Sequence, residues 1–91
     1  MKAMAILREC SFESTQDQRR SITSYARSEG IDVAYWYQIF EDNYKDIYEK
    51  LPKLGAVIVT KVSRISKEVA TLDEFKVMLH NHSVELISMY S

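Results

Sequence analysis

Ala56-Val57-Ile58-Val59 is a short, unbroken apolar run in which three of four residues are β-branched. It reads as a strand covered on both faces, as in a parallel sheet between helices. Lys61, Ser63, Arg64, Ser66 and Lys67 follow it and so fall at that strand's carboxyl end, where ligands of open α/β sheets usually bind. Earlier, Ala3 to Leu7 predicts a first strand, with Arg8, Glu9 and Cys10 at its end. A helix is expected over Gln16 to Glu29, with Ser14 or Thr15 as N-cap and Gly30 in the C′ position. Its inward face carries Ile22, Tyr25 and Ala26, with Gln18 one turn earlier, while Arg19, Arg20 and Arg27 project into water.

Val33 to Phe40, rich in aromatic and β-branched residues, predicts the second strand. Tyr44, Ile47, Tyr48 and Leu51 recur at i, i+3, i+4 and i+7, the stripe of a second helix. Asp42 or Asn43 can cap it, Lys45/Glu49 and Asp46/Lys50 can pair along it, and Pro52 and Gly55 end it. The third helix is expected over Glu68 to Asn81, with Val69, Leu72, Phe75 and Leu79 inward, and the fourth strand over Val84 to Tyr90. This β-α-β-α-β-α-β order predicts an α/β fold of right-handed crossovers, with helices on both faces of a mostly parallel sheet.

The 91 residues suit one small domain spanning 1–91. Net charge is −1, so contact with DNA would have to come from a local patch rather than from a broad basic surface. No apolar run approaches the roughly 18 residues of a membrane span. Met1 to Leu7 is too short for a signal peptide, so a cytoplasmic chain without membrane contact is expected. The single cysteine excludes an intrachain disulfide. With two glycines, Gly30 and Gly55, there is no phosphate-cradling loop. His80 and His82 diverge at a helix end, so neither a metal nor an organic cofactor is expected.

Two groups of residues invite chemistry. The cations and hydroxyls after Val59 suit a phosphate oxygen, because arginine donates in a fixed fork and lysine adds a point charge; their bland reading is a solvated loop. Cys10, near Arg8 and ahead of a helix N-terminus, is a candidate nucleophile; its bland reading is an inert small hydrophobe. The Cys, five residues, Arg pattern of a phosphatase is absent, since Gln16 holds the required position.

Three stretches together resemble the catalytic domain of the serine recombinases, the resolvase/invertase family. Ala5-Ile6-Leu7-Arg8-Glu9-Cys10-Ser11 is similar to the family's first strand, which ends in Arg, any residue, then the nucleophilic Ser. Asp17-Gln18-Arg19-Arg20-Ser21-Ile22-Thr23-Ser24-Tyr25-Ala26 resembles its first helix. Val57 to Lys67 resembles its third strand and the Asp-Arg-Leu-Ser-Arg loop that follows. The resemblance implies a three-layer, resolvase-like α/β/α domain with a four-stranded sheet of order 2-1-3-4. It implies that Arg8 and Arg64 hold the scissile phosphate and that Gln18 supports the site.

The departures are specific. Cys10 stands at the nucleophile position with Ser11 beside it, Ser63 replaces the loop Asp, and Lys67 replaces the last loop arginine. The mobile stretch after the second strand is missing, with Asp42 running straight into the second helix. The chain ends where the family continues into a dimerisation helix and a DNA-binding domain. A pocket lined by Arg8, Cys10, Gln18, Arg64 and Lys67 is expected, with Glu9 and Glu13 as counter-ions. The resulting expectation is a degenerate domain that binds or regulates, touching DNA weakly through Arg8, Lys61, Arg64 and Lys67 and pairing with itself or a recombinase partner. The alternative is an active strand-transfer enzyme using Ser11 or Cys10.

Overall fold

A computed structural model describes residues 1–41 and 43–90. The order of elements is β1 (Lys2–Arg8), α1 (Thr15–Glu29), β2 (Asp32–Ile39), α2 (Lys45–Lys50), β3 (Ala56–Val59), α3 (Val69–Asn81) and β4 (Glu85–Ser88), with 3-10 turns at Leu51–Lys53 and Val62–Arg64. The strands form one sheet in the order β2-β1-β3-β4, and every pairing is parallel. The central strands β1 and β3 are the uninterrupted apolar runs; Val57, Ile58 and Val59 have no accessible surface.

Alternation along β1 divides the core. Met4 and Ile6 face a layer built with Ile47, Leu51, Phe75 and Leu79 from the α2 and α3 side. Ala3, Ala5 and Leu7 face the other way, with Ala56 and Ile58, onto Ile22 of α1. The small residues on this second face admit a helix closely, whereas the first face is filled by bulky side chains and by the Tyr44, Tyr48 and Phe75 rings. Three layers, α1, sheet, and α2 with α3, follow from that pattern.

The α1 ends match their sequence signals. Ser14 Oγ accepts the Asp17 N–H at 3.0 Å, and Gly30 sits at φ 68°, where its N–H closes on the Ala26 carbonyl. The second helix differs from expectation. It is only six residues long and tightens into the 3-10 turn containing Pro52, because proline cannot donate to an α-helical ladder. Its N-cap position is taken by Tyr44 rather than Asn43, with no side-chain cap; Asn43 Oδ1, one residue earlier, accepts the Lys45 N–H, and the other expected cap, Asp42, lies outside the described residues. Neither Lys45/Glu49 nor Asp46/Lys50 closes into a salt bridge, in keeping with the small worth of exposed pairs. Val69, expected inward, is 74% exposed. It opens α3, about a quarter turn from the Leu72, Phe75 and Leu79 direction. β4 proper ends at Ser88, although the Met89 and Tyr90 N–H groups still donate to the Val59 and Thr60 carbonyls.

Candidate functional site

The carboxyl ends of β1 and β3 open into a groove of about 630 Å³. Arg8, Cys10 and Ser11 line it from the β1 end; Lys61, Ser63, Arg64 and Lys67 line it from the β3 end. Two adjacent parallel strands thus bring together residues more than fifty positions apart, as the family resemblance implied. Glu9, Phe12, Ser66 and Glu68 complete the wall.

Gln18 does not line this groove. It is fully buried behind it on α1, where its carboxamide holds the end of β1. Oε1 accepts the Arg8 N–H at 3.1 Å, and Nε2 donates to the carbonyls of Arg8 at 2.6 Å and Glu13 at 2.9 Å. Its role here is to position the backbone that carries Arg8 and Cys10.

The arginines are engaged by the protein itself. Arg8 Nε donates to the Arg64 carbonyl at 3.0 Å, and its Nη2 to the Ile65 carbonyl at 2.7 Å. Tyr44 Oη donates to that same Ile65 carbonyl at 2.7 Å, so Arg8 and Tyr44 together clamp the turn after β3. Arg64 is buried; its Nε and Nη2 both donate to Glu13 Oε1, at 3.3 and 3.2 Å, and its Nη1 to Ser63 Oγ. Thr60 Oγ1 donates to the same carboxylate oxygen at 2.6 Å. Glu13 thereby occupies two of the guanidinium's N–H groups, which a carboxylate and a phosphate engage with the same kind of acceptor.

The remaining groups are looser. Lys61 and Lys67 are exposed, as is Ser11. Cys10 is half-buried, and its Sγ donates to the Glu13 carbonyl at 3.2 Å. No cluster of metal-ligating side chains exists among the described residues. His80 and His82 are exposed at the carboxyl end of α3 and do not line this groove.

Sequence reasoning anticipated Glu13 as a counter-ion but not its position inside the site. Thr60 and Tyr44 were missed altogether; an unpaired hydroxyl at a strand terminus and a tyrosine on the apolar stripe read equally well as core residues. Glu68 was likewise unforeseen as a second carboxylate on the wall.

No family model matches the chain, and no curated protein does. Solved structures do. The N-terminal catalytic domain of TP901-1 integrase superposes with a TM-score of 0.84 at 22% identity, covering 98% of this chain and 77% of that one. The C-terminal catalytic domain of ISC1926 TnpA, an IS607-like serine recombinase, gives 0.83 at 14% identity over 100% and 69%. A resolvase family site-specific recombinase from Streptococcus pneumoniae gives 0.84 at 15% identity over 98% and 72%. The fold is that of a serine recombinase catalytic domain. Its strand order, β2-β1-β3-β4, is the one the family resemblance implied. No helix among the described residues is long and apolar enough to cross a membrane.

Proposed function

We propose that this chain is a recombinase-type module linked to site-specific recombination, which holds a DNA phosphate weakly in the strand-end groove and does not cut the strand. One observation carries this reading: Glu13 closes two N–H groups of Arg64 from within, while Arg8 is directed at the carbonyls of the next loop.

Phosphoryl transfer to a side-chain oxygen relies on preorganised cations around the charge that develops on phosphorus, and losing one such donor typically lowers the rate by about 10²–10³. Here Lys67 replaces a fork-shaped donor by a point charge, and Arg64 already has an anionic partner. Cys10, at the nucleophile position of the resemblance, gives its hydrogen to a backbone carbonyl. Lys61, Lys67, Ser11 and Ser63 remain as phosphate donors. In this reading the domain acts by association, with DNA and with a second copy or a recombinase.

Incubation with supercoiled DNA, followed by a search for covalent protein–DNA adducts, tests the proposal. No adduct and no nicking are expected, whereas phosphate titration should shift the amide resonances of Ser11, Lys61, Ser63 and Lys67. An adduct on Ser11 or Cys10 would establish the strand-transfer alternative instead.

A further inference from the structure

The strand-end groove carries carboxylates among its cations; the two shallow grooves along α1 do not. With 3.6 residues per turn, Gln16, Arg19, Arg20, Thr23, Ser24 and Arg27 fall within an arc of about 140°. These six line one shallow groove. A second adjoins it between α1 and β2, sharing Arg19, Thr23 and Arg27 and floored by Trp36 and Val33. Neither groove is lined by an acidic residue, although the chain as a whole has a net charge of −1.

Of the three arginines, only Arg20 has an ionic partner among the described residues, the exposed Asp17 on the same helix. The Arg19 guanidinium lies 4.4 Å from the centre of the Trp36 ring, a stacking that orients its fork while leaving its edge open. Arg20 meets only Asp17, at 3.4 Å between side chains that are 71% and 59% exposed, and such a pair is easily exchanged for another anion. Arg27 is exposed and has no ionic partner among the described residues. Arg20 and Arg27 stand about 10 Å apart along the helix axis, interleaved with the hydroxyl and amide donors of Gln16, Thr23 and Ser24.

Guanidinium forks mixed with neutral hydroxyl and amide donors are the side chains that contact sugar–phosphate backbones. We propose that the outward face of α1 is a sequence-independent contact for the phosphodiester backbone of DNA, separate from the strand-end groove. The choice of DNA over another polyanion rests on the recombinase reading above; the residues and their geometry do not.

Binding of a short duplex of arbitrary sequence, followed by fluorescence anisotropy against salt, tests this. Three phosphate contacts give a slope of log K against log salt of about −2.7, which is about a 40-fold loss of affinity from roughly 50 to 200 mM. The Arg20→Gln/Arg27→Gln variant should bind more weakly with a slope shallower by about 1.8, and the Arg20→Lys/Arg27→Lys variant should recover most of the slope. Both positions are exposed, so circular dichroism should be unchanged.

A slope that falls only in a Lys61→Gln/Lys67→Gln variant would overturn the α1 assignment and leave the groove reading standing. The reverse pattern supports α1 whatever the groove does. Absence of duplex binding at about 50 mM salt, or poly-glutamate binding as tightly as the duplex, also overturns it; the latter result would assign the face to an acidic protein.

Discussion

The Glu13 carboxylate and the Arg64 guanidinium meet at 3.2 Å with their side chains only 17% and 8% exposed, and this one pair ties the loop after β1 to the turn after β3. Thr60 donates to the same oxygen. The ends of β1 and β3 are thus cross-braced by a largely buried ion pair.

Removing the carboxylate leaves a buried guanidinium without its partner, which typically costs about 3–5 kcal/mol. Glu13→Ala should therefore lower the urea midpoint with little change in its slope, while the folded fraction binds phosphate more tightly than wild type. Unchanged phosphate affinity in a folded Glu13→Ala or Glu13→Gln protein would show that Glu13 does not compete for Arg64.

Gln18→Leu keeps volume but strips the Arg8 N–H and two carbonyls of their partners. Each buried group left unsatisfied costs about 1–3 kcal/mol, so a loss on the order of 3 kcal/mol is expected. Hydrogen exchange at the Arg8 amide should accelerate selectively. If that amide stays as protected as its β1 neighbours, Gln18 is not the clamp.

Cys10→Ser restores the hydroxyl that the family resemblance places at this position. On the proposed reading it should leave the protein folded and without nicking of supercoiled DNA, because that reading places a deficit in the cations as well as the nucleophile. A covalent adduct on Ser at position 10 would mean that Ser63 and Lys67 suffice.

Tyr48 packs against Tyr44 and Phe75. Burial, then the nearby Glu74 carboxylate and Tyr44, push its phenol above the ordinary 10.0. An acid whose folded pKa is raised retains its proton in the fold after the unfolded chain has lost it. The Tyr48 contribution to stability is therefore flat below pH 10 and declines as pH rises from there toward the folded value. Urea midpoints measured on either side of pH 10 should show the decline, and Tyr48→Phe should flatten it. A wild-type profile with no decline above pH 10 would refute the assignment.

Several parts of this protein were legible in one dimension. Ala56 to Val59 announces a doubly covered strand because both of its faces are apolar, and Ser14 and Gly30 announce helix ends because those positions demand a side-chain acceptor and a left-handed backbone. Such signals are local, set by steric and hydrogen-bonding rules within a few residues. The strand order was implied only by the likeness carried by Arg8, Gln18 and Arg64, and the sheet order β2-β1-β3-β4 bears it out.

The state of the site was decided elsewhere. No spacing rule says that Glu13 will meet an arginine more than fifty residues away, that Gln18 will turn its amide to the backbone instead of the groove, or that Arg19 will lie on Trp36. Val69 is apolar yet stands in water because it opens α3 about a quarter turn away from the Leu72, Phe75 and Leu79 direction. A sequence states which groups can donate, accept or carry charge; which of them are satisfied by the protein and which are left for a ligand depends on tertiary distances of about 3 Å, because charge-assisted hydrogen bonds are short and directional.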